Sequence, residues 1–240
     1  MSADALVVFS GGQDSTTCLY WAKEKWDHVE AITFNYGQRS CWLEIEAASD
    51  IAENACVTHE IVDIPDCLVS SSPLTSDTQL EAYDSFEEME DTIGTRREMT
   101  FVPMRNALFL TLAANRAEAK GISNIVTGVC QMDNANYDDC RHVFLYATEQ
   151  YINTALGHDH RGTQWISIHA PLLYMSKAQS IYLAQSIPGA FDALGNSVSC
   201  YEGFFPPCGK CHACVLRAEG FKQADVPDPL LQSILPVHYV

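Results

Sequence analysis

Apolar runs alternate with amphipathic stretches through most of the chain. The runs at 5–9, 29–37 and 58–64 predict strands, and helical spacing of apolar residues at 14–26 and 41–55 predicts helices between them. Neighbouring parallel strands need a crossover connection, usually a helix, so this alternation is typical of a parallel sheet.

The alternation resumes after an interruption. A helix should start after Pro103 and end at Gly121, because a glycine just past the last periodic residue is typical of a helix C-terminus. Strands are predicted at 124–129 and 165–171, and helices at 142–156 and 176–186. This order predicts an α/β fold with a doubly wound, mostly parallel sheet whose ligand lies at the carboxyl ends of the strands.

Segments that directly follow predicted strands should meet at that edge of the sheet. They are Ser10-Gly11-Gly12, Tyr36-Gly37 and the polar segment 128–141. We therefore expect them to line one cleft.

The interruption is a polar insertion at residues 65–98. It contains Pro65, the stretch SSSPLTSD and the acidic stretch EEMED, which predict a mobile segment that is either a lid over the cleft or a solvated loop. The domain prediction is an α/β domain at 1–195 that carries this insertion, and a C-terminal segment at 196–240.

The amino-acid composition indicates a globular protein and disfavours some classes of partner. The 240 residues are 47% hydrophobic and 19% charged, as in globular proteins, and their net charge of −17 disfavours a nucleic-acid partner. No apolar run reaches the length of about 18 residues that a membrane span needs, and the first residues do not resemble a signal peptide. We expect a soluble, cytoplasmic protein without a membrane partner.

The stretch FSGGQDSTTCL at 9–19 is typical of an anion-binding loop. Gly11 and Gly12 can adopt positive φ and present backbone N–H groups, while Ser10 and Ser15 add hydroxyls and the next helix adds its N-terminal partial charge. The lysine of a Walker loop is missing, which argues against simple γ-phosphoryl transfer. Asp14 would fit a bridging Mg²⁺. The alternative is a tight strand-to-helix turn with no ligand.

A cysteine cluster lies near the C-terminus. Cys200, Cys208, Cys211 and Cys214 provide four thiols at spacings that suit a closed structural Zn²⁺ site, with an iron–sulfur cluster as the alternative. His212 lies between these ligands and is redundant once four sulfurs are present.

Several motifs together resemble one enzyme family. The pattern SGGxDS resembles the PP-loop of ATP pyrophosphatases, and the stretches TFNYGQR at 33–39, TFVPMRN at 100–106, TGVCQMDNANYDDCR at 127–141 and CGKCHACVLRAEG at 208–220 follow it in order. Together they are similar to the 7-cyano-7-deazaguanine synthase (QueC) family from about Leu6 to Gly220. The resemblance implies an adenine nucleotide alpha hydrolase-like fold with a small zinc-binding subdomain.

The resemblance also implies an activity and its residues. ATP would adenylate 7-carboxy-7-deazaguanine, free ammonia would give the amide, and a second adenylation would give the nitrile, in a homodimer using ATP, Mg²⁺ and Zn²⁺. The ATP segment would be Phe9, Ser10, Gly11, Gly12, Gln13, Asp14, Ser15, Thr16, Thr17, Cys18 and Leu19. Substrate contacts would be Tyr36, Gln38, Arg105, Asn106, Gly128, Asp133 and Arg141, with Asp14, Arg105 and Asp133 catalytic.

The chain departs from the usual family motifs at several positions. The family commonly has TFVPGRN and GVCETDFSGYPDCR, whereas this chain has Met104, Gln131, Met132, Asn134, Ala135, Asn136 and Asp138. The change to Gln131 removes a charge and motivates a rival hypothesis, in which the deazaguanine is joined to another amine, such as a protein N-terminus, or the reaction stops at the amide. Two more distant hypotheses are a tRNA thiolase using Cys130 and Cys200, and a zinc module that only binds nucleotide.

Overall fold

A five-stranded parallel sheet forms the centre of the protein. The computed structural model describes residues 4–132, 136–158 and 164–234. The strand order is β3-β2-β1-β4-β5, and every neighbouring pair is parallel. The strands are β1 Ala5–Val8, β2 Val29–Asn35, β3 Thr58–Asp63, β4 Asn124–Thr127 and β5 Ser167–His169. The predicted fold class is confirmed, and each predicted strand is present with shorter ends.

Helices cover both faces of this sheet. They are α1 Gln13–Lys25, α2 Cys41–Asn54, α3 Phe86–Ile93, α4 Arg105–Lys120, α5 His142–Leu156, α6 Lys177–Ser186, α7 Ala190–Ala193, α8 His212–Gln223 and α9 Pro229–Ile234. Alternate residues of β1 point to opposite cores: Leu6 packs with residues of α4 and α5, and Val7 with residues of α1 and α2. Gly121 is in the left-handed conformation just after α4, as predicted.

The insertion at 65–98 is packed against the rest of the protein. Leu68, Leu74 and Leu80 are buried with Val102 and Tyr36, and Tyr83 lies in a second cluster with Met89, Ile93 and Val215 of α8. The backbone N–H of Tyr83 donates a hydrogen bond to the carbonyl of Lys210 at 2.8 Å. Leu68, Leu74 and Leu80 are six residues apart among polar residues, which is why the composition predicted only a mobile polar segment, although Met89 and Ile93 of α3 do have helical spacing.

The C-terminal segment is held by a buried ion pair. Arg217 on α8 contacts Asp228 at 2.6 Å, and both side chains are 6% exposed. Arg217 also donates to the carbonyls of Leu194 and Ser197. The pair therefore ties α8 to the chain on both sides of it. The predicted domain boundary at residue 195 stays a prediction.

No helix in the described residues is both long enough and apolar enough to cross a lipid bilayer.

Candidate active site

One cleft lies at the carboxyl ends of the strands and has a cavity volume of about 290 Å³. Residues from all three predicted segments line it, including Ser10, Tyr36, Gly128 and Arg141. The expectation that these strand ends form one cleft is confirmed. The C-terminal segment also lines it, through Tyr201, His212, Ala213, Leu216 and Arg217 among others.

The phosphate loop, residues 10–15, connects β1 to α1. Gly11 has φ +74°, and an added Cβ there would lie 2.7 Å from the backbone nitrogen of Ala48 in α2, so no other residue fits without a shift. Gly12 has φ −79°, so the prediction of positive φ holds for Gly11 and is wrong for Gly12. Ser15 Oγ accepts from the N–H of Ser10 at 3.2 Å and lies 3.1 Å from Ser10 Oγ. The two serines thus fix the loop around the start of α1.

A lysine from a distant helix reaches this loop. Lys177, the first residue of α6, places Nζ 2.7 Å from Asp14 Oδ2, and its side chain is only 10% exposed. Ser176 and Gln179 form a capping box that fixes this end of α6. Gly220 of α8 leaves room for the lysine, because a Cβ there would lie 2.4 Å from Lys177 Cγ. The loop motif itself has no lysine, but Lys177, 163 residues after Asp14, therefore places its ammonium beside the loop.

Two buried polar atoms of the ATP segment have no hydrogen-bond partner among the described residues. They are Gln13 Nε2 and Thr16 Oγ1. Gln13 lines the cleft, and a buried amide nitrogen without a partner costs about 1–3 kcal/mol. A ligand with acceptor oxygens or nitrogens would satisfy Gln13.

The other end of the cleft is built around Arg105, the first residue of α4. Its guanidinium donates to Tyr36 Oη at 3.4 Å, and Tyr137 and Tyr201 also interact with it electrostatically. Burial opposes its ionisation, but the three phenols outweigh burial and raise the pKa of Arg105 further above its usual range. The result is a permanent cation enclosed by tyrosines, which suits a carboxylate or phosphate.

Asn106 joins the start of α4 to the β4 loop, residues 128–141. Its backbone N–H donates to Asp139 Oδ2 at 3.3 Å, and its Nδ2 donates to the carbonyl of Asp139 at 3.2 Å. Burial raises the pKa of Asp139, while nearby Arg105 acts in the opposite direction. Asn106 thereby holds the β4 loop beside Arg105.

Two departures from the family motif, Asn136 and Asp138, contact the insertion, and a third, Gln131, contacts α5. Asn136 Nδ2 donates to the carbonyl of Arg96 at 2.9 Å, and Asp138 forms ion pairs with Arg97 and Arg141. Gln131 Oε1 accepts from the N–H of His142 at 3.0 Å, which fixes the start of α5. Asp133, Asn134 and Ala135 lie outside the described residues, so the predicted role of Asp133 stays a prediction.

Two of these departures occupy left-handed backbone. Met104 has φ +64° and Asn136 has φ +54°, and the family commonly has glycine at both positions. Asparagine tolerates this conformation, whereas methionine there costs about 1–2 kcal/mol. Both residues thus adopt a backbone conformation that glycine would adopt at a lower cost in free energy.

The cysteine cluster has the geometry of a metal site. The four sulfurs all lie within 4.8 Å of one another, and those of Cys208 and Cys214 are 3.8 Å apart. Sulfurs around a tetrahedral Zn²⁺, at about 2.3 Å each, are about 3.8 Å apart. Hydrogen bonds from Cys211 and Cys214 lower the pKa of Cys200, the thiol beside Tyr201. The donor set therefore suits zinc, as predicted, and it lies directly behind the cleft.

Not every residue of the predicted site faces the cavity. Among the described residues that line it are Phe9, Ser10, Gly12, Gln13, Asp14, Ser15, Tyr36, Arg105, Asn106, Gly128 and Arg141, but not Gly11, Thr16, Thr17, Cys18, Leu19 or Gln38. Gln38 lies behind Tyr36, where its Oε1 accepts from the Tyr36 N–H. His212, which was expected to be redundant as a metal ligand, lines the cleft. Sequence reasoning missed Lys177, Tyr137 and Tyr201, and no spacing pattern marks them.

Comparison with known proteins agrees with this geometry. A family model described as "Queuosine biosynthesis protein QueC" matches residues 4–225. The chain belongs to the QueC family. It is 46% identical over 233 residues to the 7-cyano-7-deazaguanine synthase of Laribacter hongkongensis, covering 97% of this chain and 96% of that protein. It is 44% identical over 229 residues to the 7-cyano-7-deazaguanine synthase of Gloeobacter violaceus, covering 94% of each.

Among solved structures, the similarity is lower. A predicted subunit of a tRNA methyltransferase from Methanocaldococcus jannaschii is 16% identical, with a TM-score of 0.46, covering 76% of this chain and 74% of that one. The QueC assignment rests on the sequence relatives.

Proposed function

We propose that the protein is a 7-cyano-7-deazaguanine synthase, an ATP-dependent ligase that converts 7-carboxy-7-deazaguanine and ammonia to the nitrile through the amide. One observation carries the proposal. In a chain that is 46% identical to such a synthase, a single cleft has an anion-binding loop at one end and the buried Arg105 at the other. Queuosine biosynthesis is the pathway named by the family.

The phosphate end activates an oxygen of the substrate. The N–H groups of the phosphate loop, the N-terminus of α1 and the ammonium of Lys177 would hold the β- and γ-phosphates of ATP as pyrophosphate leaves. Asp14 offers a carboxylate for Mg²⁺, which would offset phosphate charge there. A carboxylate oxygen is a poor leaving group until it carries AMP, so this end supplies the driving force of both stages.

The other end orients the substrate. Arg105 would pair with the carboxylate, or with the α-phosphate once the adenylate has formed, and Tyr36 and Asn106 help to fix that arginine and the β4 loop. Gly128, Arg141 and Asp133 would contact the deazaguanine ring; a carboxylate such as Asp133 accepts well from the adjacent N–H donors of a guanine-like edge.

The cysteine cluster would hold a structural Zn²⁺. Four sulfurs close the coordination sphere and leave no position for a substrate. Bound zinc would fix Tyr201 and the start of α8, which both line the cleft. Its contribution is therefore to the shape of the site.

Product analysis tests the proposal. The purified protein is incubated with ATP, Mg²⁺, ammonium and 7-carboxy-7-deazaguanine, and the products are identified by mass spectrometry. We expect the nitrile, with pyrophosphate released at each of the two adenylations and AMP released as the amide and then the nitrile form. An amide that is not converted further, or a deazaguanine adduct on a partner protein, would support the rival ligase and refute the proposal.

The assembly is proposed as a homodimer that uses free ammonia. Light scattering at working concentration should give a mass twice the 26.6 kDa of one chain. A monomer that is fully active would contradict this part of the proposal without affecting the reaction.

A further inference from the structure

A buried carboxylate lies beside the substrate end of the cleft without a role in the chemistry described so far. Glu98 is 2% exposed. Among the described residues, no lysine, arginine or histidine forms an ion pair with it. A buried carboxylate held by neutral groups alone is costly for stability, so its presence calls for another explanation.

Glu98 belongs to a continuous chain of hydrogen bonds that ends at the cleft. Its Oε2 accepts from the backbone N–H of Thr100 at 2.6 Å and from the Thr100 hydroxyl. The Thr100 hydroxyl in turn contacts Tyr137 Oη, which also lies 3.3 Å from Glu98 Oε2. Thr100 is fully buried, and Tyr137 lines the cavity.

The cleft end of this chain is where the reacting group would lie. Tyr137 lines the same cavity as Arg105, the cation proposed to hold the substrate carboxylate and its adenylate. Burial raises the pKa of Tyr137 well above its usual value, and Tyr201 and Glu98 raise it further. The Tyr137 phenol thus keeps its proton at neutral pH. It can accept a proton from the substrate only if its own proton moves to Thr100 at the same time.

We propose that Glu98, acting through Thr100 and Tyr137, accepts the proton that the substrate nitrogen loses when the nitrile forms. The inference rests on the proposed function. The adenylated amide has a carbon–nitrogen double bond and one remaining N–H. That proton moves to Tyr137 as the Tyr137 proton moves through Thr100 to Glu98, the N–H electron pair forms the third carbon–nitrogen bond, and the carbon–oxygen bond breaks with its pair leaving on AMP.

Atoms, electrons and charge all balance in this step. The adenylated amide and the Glu98 carboxylate give the nitrile, AMP and the Glu98 carboxylic acid, with no oxidant or reductant. The proton returns to solvent along the same chain when product leaves. Tyr137 is the group that touches the substrate, while Thr100 and Glu98 act through it.

The test separates the two halves of the reaction. Glu98→Gln keeps the size and an acceptor oxygen but cannot take up a proton. We expect nitrile formation from the amide to slow about 100-fold, in the range of general-base effects. The carboxylate-to-amide half should slow less than 10-fold, the KM for the amide should change less than 2-fold, and the amide should accumulate. Glu81→Gln, a half-buried glutamate of the same insertion, is the matched control and should behave as wild type.

Three further variants, at Tyr137 and Thr100, keep the result decisive even if Glu98→Gln does not fold. Tyr137→Phe removes only the hydroxyl and should show the same selective loss. Thr100→Val should show it too, and Thr100→Ser should restore nitrile formation. Equal slowing of both halves with a raised KM would make the chain merely structural, and normal nitrile formation in Tyr137→Phe would overturn the inference. Failure of the wild type to form the nitrile would instead refute the proposed function.

Discussion

The two ends of the cleft are built in different ways. The phosphate end consists largely of backbone from one short stretch, residues 10–15, together with the cation of Lys177 from a distant part of the sequence. The substrate end consists of side chains from separate parts of the sequence: Tyr36, Glu98, Arg105, Tyr137 and Tyr201. A site made of local backbone can be recognised from a short sequence motif, whereas a site assembled from distant side chains can be recognised only in the folded structure.

The largest expected effect lies at the phosphate end. Asp14→Ala should abolish pyrophosphate release, because it removes the proposed Mg²⁺ carboxylate and the partner of Lys177. Zinc content should not change, since the cysteine cluster is separate. Pyrophosphate release and bound zinc are measured together, with the exposed Asp27→Ala as control. Release of pyrophosphate by Asp14→Ala at the wild-type rate would contradict the assignment of phosphate binding to this end of the cleft.

The next effect concerns the arginine of the substrate end. Arg105→Met should lower kcat/KM for the carboxylate about 100-fold or more, as expected when a buried cation that holds an anion is lost. The KM for ATP should change far less. Steady-state kinetics in each substrate measure this, and Arg116→Met, at the half-buried partner of Glu60 on the same helix, is the control. Equal changes in both KM values would mean that Arg105 serves both ends.

Metal loss should affect the substrate end more than the phosphate loop. Cys208→Ser should lower zinc content and weaken the hold on Tyr201, raising the KM for the carboxylate about 10-fold and destabilising the C-terminal segment. Metal analysis and thermal unfolding measure the change, and the exposed Cys67→Ser is the control. Unchanged kinetics after complete zinc loss would contradict the proposed structural role.

A smaller effect connects α8 with the phosphate end. Gly220→Ala forces Lys177 to move, because the new Cβ would lie 2.4 Å from its Cγ. Pyrophosphate release should fall several-fold with a loss of about 1–3 kcal/mol in stability. Gly195→Ala is the matched control, since its Cβ would meet atoms only at 3.6 Å or beyond. Equal behaviour of the two variants would show that the position of Lys177 is not critical.

The smallest effect isolates backbone strain at the start of α4. Met104→Gly should be more stable than Met104→Ala by about 1 kcal/mol, because both remove the exposed side chain and only glycine relieves the left-handed strain. For a chain of this size, that is a difference in Tm of about 2–4 °C. Identical melting temperatures would argue against strain at this position.

Much of the fold was predictable because its signal is local. Each predicted strand is present, and helices such as α1 and α4 begin and end within a few residues of their predicted bounds. Helix α8 was missed because it is buried on several sides, with His212, Val215, Leu216, Arg217 and Phe221 all inside, so it shows no single apolar stripe. The short helix α3 has apolar residues at helical spacing, Phe86, Met89 and Ile93, but the acidic residues between them led to its interpretation as part of a polar segment.

The parts of the site that come from one short stretch of sequence were predictable. The glycines and serines of the phosphate loop and the four cysteines are recognisable from spacing alone. Lys177 and Glu98 are ordinary charged residues in their own segments, and only folding brings Lys177 to the cleft and Glu98 into contact with Tyr137, which lines the cleft. Long-range pairing of this kind leaves no trace in local composition.

The position of the cysteine cluster has a consequence for the order of synthesis. The phosphate loop leaves the ribosome well before Tyr201, the cysteine cluster and α8 do, because it lies about 190 residues earlier in the chain. The phosphate loop itself contacts this later segment, because the N–H of Val198 donates to the carbonyl of Gly11 at 2.9 Å. The complete cleft therefore forms only after the later segment has been made, since Tyr201 and α8 supply part of its wall.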